Sequence, residues 1–155
     1  MPHITIEHAI MIPLLIAQIF VFPFVASRMA SSWTDSHRDT VLKDAANHLA
    51  STVQQLYLSV NREEISAGNV TQASTLPQTI SSYSYTATGS LKVADSSRVL
   101  SLTLTLEEVG NTVKANAVLG PNALWIEESV FRSTSPDASV KVQKFSNGTL
   151  LFSFG

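Results

Sequence analysis

The pattern of hydrophobic and polar positions changes twice along the chain. Residues 9–26 read AIMIPLLIAQIFVFPFVA, eighteen residues with one Gln and no charge. A helix needs about 20 apolar residues to cross the hydrocarbon core of a bilayer. This stretch is apolar on every side, unlike a surface helix of a soluble domain, and membrane helices tolerate its Pro13 and Pro23. The pattern predicts a cleavable signal, a permanent anchor or a helix that becomes buried in protein after assembly.

A second pattern, with one apolar stripe, follows residue 40. Its apolar positions recur at spacings of four and three residues: Leu42, Ala46, Leu49, Val53, Leu56 and Val60. This spacing is typical of one packed helix face. The pattern fades at residues 61–65, and Gly68 is the predicted C-terminal breaker. A nearly continuous helix over 4–65 would be roughly 90 Å long at about 1.5 Å per residue, so its first half needs lipid or other subunits around it.

The third pattern has a two-residue period after a predicted loop at 68–79. Residues 100–106 and 113–119 alternate apolar and polar around a turn at 109–111, which predicts a hairpin. Residues 140–154 predict a second hairpin around Asn147-Gly148. Weaker strand candidates are 82–86, 90–94 and 124–131.

These patterns together predict an α+β fold. A long N-terminal hydrophobic α-helix (1–65, with 1–26 spanning a membrane) precedes a C-terminal antiparallel β-sheet domain (66–155). A sheet of five to seven strands cannot bury both faces alone, so we expect it to pack on the distal half of the helix.

The composition narrows the function. Ten Lys and Arg against twelve Asp and Glu give a net charge of −2, and only 14 % of residues are charged, which disfavours nucleic-acid binding. The absence of cysteine excludes disulfides, thiolate catalysis, zinc–thiolate sites and iron–sulfur clusters.

The charges that flank the apolar stretch conflict with a simple signal or anchor. No Lys or Arg precedes the stretch, and the first ones after it are Arg28, Arg38 and Lys43. A cleavable signal begins with positive charge, which is missing here. For an anchor, the positive-inside rule would keep the C-terminal part cytoplasmic, whereas the sequons described below indicate that this part is extracellular. A basic leader that has been removed resolves the conflict, and we expect one.

Two N-glycosylation sequons favour an exported surface. They are Asn69-Val70-Thr71 and Asn147-Gly148-Thr149, both in predicted loops or turns.

Glu7 is the only carboxylate at the edge of the apolar stretch. Two interpretations remain open. Either the carboxylate is solvated among lipid headgroups, or it pairs with a cation from another copy of the chain, such as a free N-terminal amine.

The sequence indicates neither an enzyme, nor a metal site, nor a cofactor site. His3 and His8 flank Glu7, which would make only a weak metal cluster, and solvated or interfacial side chains are the favoured interpretation. The residue types of a triad occur together only at helical neighbours, which point in different directions: Asp35, Ser36, His37 and Asp39. Glu127 and Glu128 form a carboxylate pair on a predicted strand, but neighbouring residues of a strand face opposite sides. Trp33 and Trp125 are expected to pack or to lie at an interface.

The start of the chain resembles a type IV pilin, in particular the archaeal kind. The local motif is His3-Ile4-Thr5-Ile6-Glu7 before the uncharged apolar run, and the whole layout is similar. Counting from His3 rather than Met1 restores the common bacterial spacing of the glutamate. The resemblance implies that a prepilin peptidase removes a basic leader and that Glu7 meets the N-terminal amine of a neighbouring subunit.

The resemblance further implies a major pilin of an extracellular, adhesive helical filament. Identical subunits would be stored in the membrane and then polymerised by pilus assembly machinery, with helix 1–26 in the filament core and possible N-glycans outside. The residues expected between subunits are Ile4, Ile6, Glu7, Ile10, Leu14, Leu15, Ile19, Phe20, Phe22 and Phe24. The alternatives are an archaellin of a motility filament, a minor pilin or pseudopilin, and a singly anchored surface protein with a β-rich binding domain.

Overall fold

A computed structural model describes residues 3–94 and 96–155, and the side chains of residues 11–93 and 96–155. Within these residues one helix, α1, precedes eight strands, so the predicted α+β class is confirmed. The elements are α1 (His3–Val60), β1 (Gly68–Ala73), β2 (Tyr85–Ala94), β3 (Ser97–Leu106), β4 (Thr112–Leu119), β5 (Ala123–Trp125), β6 (Val130–Arg132), β7 (Ser139–Lys144) and β8 (Leu150–Phe154). Contacts divide the chain into two compact units, Met1–His37 and Arg38–Gly155.

The second half of α1 buries the predicted stripe. All six residues of the stripe are buried, and three more beside them widen it: Ala45, Ala50 and Tyr57. With these three residues, the buried face of α1 is broader than the narrow seam of a coiled coil. A helix needs such a broad face when it packs on a sheet rather than on one other helix. Burial of this face explains why α1 stays ordered through a Ser-, Asn- and Gln-containing sequence.

The strands form two four-stranded sheets. One has the order β1-β7-β8-β5 and the other β4-β3-β2-β6. Both predicted hairpins are confirmed as the antiparallel pairs β3–β4 and β7–β8. One pairing differs from the expected antiparallel sheet: β5 lies parallel to β8. The connection from β5 to β8 runs through β6 and β7, and it is therefore long enough for a parallel return.

One hydrophobic core joins the helix stripe to the inner faces of both sheets. Leu100, Leu102, Leu104 and Leu106 supply the inner side of β3 and are fully buried. Phe154 of β8 packs edge-on against Trp125 of the same sheet at a ring-centroid distance of 4.8 Å. It also packs edge-on against Phe131 of β6 at 5.6 Å, and this contact connects the two sheets. Such pairs are the favoured aromatic geometry.

Several local predictions are wrong. Part of the predicted loop at 68–79 is strand β1, and the helix ends at Val60, so Gly68 begins a strand rather than stopping the helix. The candidate 90–94 and the last two residues of the candidate 82–86 belong to the single strand β2, which begins at Tyr85 and continues through Gly89. The candidate 124–131 is interrupted by a turn in which the Ser129 N–H donates to the Ile126 carbonyl at 3.1 Å.

The β7–β8 hairpin closes with a three-residue loop. The Gly148 N–H donates to the Phe145 carbonyl at 3.0 Å, and the Phe145 N–H donates to the Thr149 carbonyl at 2.9 Å. Gly148 has a φ of 81°, the left-handed conformation that glycine adopts without strain. The Asn-Gly signal therefore located the hairpin correctly, although the loop is one residue longer than the shortest type.

The C-terminal end of α1 is fixed by the side chain of Asn122. Tyr57 Oη donates to Asn122 Oδ1 at 2.9 Å, and Asn122 Nδ2 donates to Asn61 Oδ1 at 2.7 Å and to the Gly148 carbonyl at 2.8 Å. A helix end leaves polar groups without intrahelical partners. Here, one amide side chain connects that end to the loop before β5 and to the β7–β8 hairpin.

Candidate functional site

The first unit presents an apolar helix surface that carries no charged residue between residues 11 and 27. Its large hydrophobic side chains between residues 11 and 33 are 47–79 % exposed. They are Met11, Ile12, Leu14, Leu15, Ile16, Ile19, Phe20, Val21, Phe22, Phe24, Val25, Met29 and Trp33. Monomeric soluble proteins rarely expose a continuous apolar area of this kind, and such areas mark contacts with membranes or other proteins.

The apolar surface surrounds the helix rather than following one side. At about 100° per residue, Leu14, Leu15 and Phe20 point in three well-separated directions. All six described members of the predicted intersubunit set are exposed: Leu14, Leu15, Ile19, Phe20, Phe22 and Phe24. The side chains of the other four lie outside the described residues: Ile4, Ile6, Glu7 and Ile10. The described surface fits an apolar environment on all sides.

This part of α1 also meets the requirements of a membrane span. Within the described part of the chain, it contains an 18-residue window with a mean hydropathy of 1.7, none of which is buried. By length and composition, it is able to cross a bilayer.

The apolar segment ends at Arg28. The guanidinium carbon of Arg28 lies 4.8 Å from the centroid of the Phe24 ring, a cation–π contact. The Ser31 hydroxyl donates to the Arg28 carbonyl at 2.9 Å, and the Thr34 hydroxyl donates to the Ala30 carbonyl at 2.9 Å. Trp33 is 79 % exposed, as at a membrane–water boundary. The Phe24–Arg28 pair was not predicted, although the two residues are four positions apart, the spacing of neighbours on one helix face.

The triad-type residues all lie on α1. Asp35, Ser36 and His37 are successive positions of α1. Asp39 Oδ1 accepts a hydrogen bond from Asn111 Nδ2 at 2.6 Å, which ties the helix to the β3–β4 turn. No group of three His, Asp or Glu side chains suited to a metal ion occurs in the described part of the chain.

The remaining candidates for chemistry, Glu127, Glu128 and Trp125, lie in different surroundings. Glu127 and Glu128 lie in the exposed turn between β5 and β6, so their predicted place on a strand is wrong. Trp125 is buried against Phe154, which agrees with a packing residue.

Both sequons are exposed, but they lie on different structures. Asn147 is in the β7–β8 hairpin loop, where its Oδ1 accepts the Thr149 N–H at 3.0 Å. Asn69 lies on strand β1, not in the predicted loop. Each asparagine is open to solvent, as an acceptor for a glycan must be.

Comparisons of the chain with protein-family models, with curated proteins and with solved structures found no match. The two halves of α1 differ in their surroundings. Residues 11–26 expose an apolar surface on all sides, whereas the β-sheets cover the stripe in residues 42–60.

Proposed function

We propose that the chain is a structural subunit of an extracellular helical filament of the archaeal type IV pilus kind, with adhesion to surfaces as its role. The observation that carries the proposal is the contrast along α1. The distal half is fully covered by the sheets of its own chain, whereas the proximal half exposes uncharged apolar side chains on all sides. Such a helix requires lipid or other helices around it.

On this proposal, assembly replaces the lipid around the apolar helix segment by neighbouring subunits. Lipid covers residues 11–26 before polymerisation, and the same residues of neighbouring subunits cover them afterwards. Because lipid tails are as apolar as Leu or Phe side chains, the exchange gains little hydrophobic free energy. Close packing of side chains, together with pairing of Glu7 with an N-terminal amine, sets the register. Contacts between unlike faces of identical subunits that do not close into a ring produce a helical polymer.

The remaining parts of the proposal follow from the resemblance and the sequons. A prepilin peptidase and a pilus assembly machinery act on the subunit, and the β-rich domain faces the medium with N-glycans at Asn69 or Asn147. The protein works by polymerisation and surface contact rather than by catalysis, with neither a cofactor nor nucleic acid involved.

The test is electron microscopy and mass spectrometry of material sheared from cells that express the chain. Fibres composed mainly of this chain are expected. Glu7→Gln removes the charge while keeping the size, and it should reduce the fibre yield; Glu63→Gln is the control, since Glu63 is an exposed residue just after α1. A normal yield from Glu7→Gln would remove the pairing step.

A second candidate, a singly anchored surface protein, is favoured by one observation: α1 is by itself long and apolar enough to cross a bilayer. Recovery of the chain only as dispersed membrane monomers, with no fibres in the sheared material, would select this candidate over the filament subunit.

A further inference from the structure

Strand β1 is an unprotected sheet edge. In the described part of the chain its only neighbour is β7, and all six of its residues are exposed. Its sequence, GNVTQA, contains neither charge nor proline. The other edge strands are short, three residues each in β5 and β6, or carry a charge, Lys114 in β4. An exposed, uncharged edge strand pairs readily with a strand of another molecule unless something blocks it.

Strand β7 lies between β1 and β8, and its backbone groups form hydrogen bonds to the two strands in alternation. The Ser74 N–H donates to the Ala138 carbonyl at 2.9 Å, beside β1, whereas the Gly155 N–H donates to the Ser139 carbonyl at 2.9 Å, beside β8. Successive residues of this strand therefore pair to opposite sides, as in a regular antiparallel ladder. By this alternation, Val140 and Val142 pair with β1.

The partners of Val140 and Val142 on β1 are Gln72 and Val70. Since alternate residues of an edge strand turn their backbone groups away from the sheet, the N–H and C=O groups of Asn69 and Thr71 are directed to the open side. The two residues that define the sequon are therefore also residues through which another strand would pair.

The side chain of Asn69 lies on the solvent face of this sheet. Asn69 is opposite Gln143, which is exposed, whereas Val70 is opposite Val142, which is buried in the core. The carboxamide is thus accessible to a transferase and stands next to the open backbone groups.

We propose that Asn69 carries an N-linked glycan and that this glycan prevents β1 of one copy from pairing with β1 of a second copy. Asn69 Nδ2 forms a bond to C1 of a sugar, the bond from C1 to the phosphate oxygen of a lipid-linked oligosaccharide donor breaks, and the lipid phosphate leaves with the bonding electron pair. The amide loses one proton to a base. A bulky hydrophilic group at Asn69 replaces the charge or proline that protects other sheet edges.

The inference rests on the extracellular placement in the proposed function but not on a filament. Absence of fibres from the sheared material would leave it intact, and an unmodified Asn69 would leave the filament intact.

The first measurement is the mass of the peptide that contains Asn69, from the full chain made in a host that performs N-glycosylation. A glycan mass is expected on wild type and on Thr71→Ser, which keeps the sequon, and its loss is expected in Thr71→Ala. A wild-type peptide at its unmodified mass would overturn the proposal.

The second measurement is the pairing of β1 strands in detergent micelles. The chain has no cysteine, so Ala73→Cys allows a single pyrene label on β1, and two adjacent strands give excimer emission. We expect an excimer signal when Asn69→Gln is added to the labelled chain, but not with Asn69→Lys, which lacks the glycan but places a charge on the edge. Asn147→Gln is the matched control, because it removes a sequon away from any edge.

Equal excimer emission from the Asn69→Gln and glycosylated forms would overturn the protective role. Excimer emission from Asn69→Lys as strong as from Asn69→Gln would likewise show that the open edge of β1 is not what pairs.

Discussion

The Lys144 ammonium group caps the last turn of α1 by donating to the Val60 carbonyl at 3.0 Å, and it also reaches the Arg62 carbonyl at 2.6 Å. Carbonyls at a helix C-terminus lack intrahelical partners and carry partial negative charge. A cation at the end of β7 therefore stabilises the helix end that the sheets must hold.

Replacing Lys144 by Met should destabilise the β-rich unit. Loss of a partly solvated, charged hydrogen bond at a helix end is expected to lower the free energy of unfolding by about 1–2 kcal/mol. Urea unfolding of the full chain in detergent micelles, followed by circular dichroism, measures the change. Lys141→Met is the control, because Lys141 is exposed on the same strand; equal losses in both variants would contradict a cap.

Gly89→Ala should disturb the core even though Ala suits a strand better than Gly. A Cβ at residue 89 would lie 2.5 Å from two ring atoms of Trp125, so the buried indole must move. Overpacking of this kind is expected to cost about 1–3 kcal/mol. Gly68→Ala is the control, since a Cβ there meets nothing within 4 Å.

The near-ultraviolet circular dichroism of Trp125 in a Trp33→Phe background reports the same change. An unchanged indole spectrum in Gly89→Ala would show that the ring is not held against Gly89.

Tyr85 should make the stability fall at alkaline pH. Burial raises the pKa of Tyr85 from 10.0 to about 12, and its hydroxyl donates to the Pro77 carbonyl at 2.8 Å. Above pH 10, the unfolded chain loses this proton first, so the stabilisation present below pH 10 decreases as the pH rises towards 12. A shift of two units corresponds to a loss of about 2.7 kcal/mol.

The measurement is the difference in unfolding free energy between wild type and Tyr85→Phe at pH 9, 10 and 11. The phenylalanine variant should lack this part of the alkaline decrease, whereas Tyr83→Phe should retain it. Parallel pH curves for wild type and Tyr85→Phe would contradict the assignment.

A charge in the middle of the apolar segment should prevent membrane insertion. Ile19 is 65 % exposed within a stretch free of charge, and a Lys at the centre of a membrane helix costs about 2.5–3.5 kcal/mol. Ile19→Lys is expected to leave the membrane fraction while the β-rich unit keeps its circular dichroism signal. Ser32→Lys, beyond Arg28, should insert normally; retention of Ile19→Lys in the membrane at wild-type level would argue against a span here.

The sequence predicted those parts of the fold that a regular period determines. The stripe on α1 and the alternation in β3 and β4 both come from burial of one face, so Leu49 and Leu102 were identifiable in advance. Strand β1 was missed because an edge strand exposed on both faces has no apolar alternation. Strand β2 was predicted as two separate candidates, 82–86 and 90–94. The glycine between them is explained by the close approach of the Trp125 ring to Gly89, and Trp125 lies far away in the sequence.

The candidate site was predictable for a different reason. The composition of an uncharged apolar run without a polar side is enough to predict an apolar environment around the helix. The exposure of Phe20 and Phe22 agrees with this prediction, since their own chain does not cover them. The contacts that fix the end of α1 were not predictable, since Lys144 and Val60 are 84 residues apart and meet only through the topology of the sheets.

The central position of β8 imposes an order on biogenesis. Because β8 lies between β7 and β5, that sheet stays incomplete until residue 154 has been synthesised, roughly 5 to 19 seconds after α1 at about 5–20 residues per second. The apolar helix is thus synthesised well before the β-rich unit of the same chain is able to fold. On the proposed export of the β-rich unit, a translocation channel would receive the helix first and an unfolded C-terminal segment afterwards.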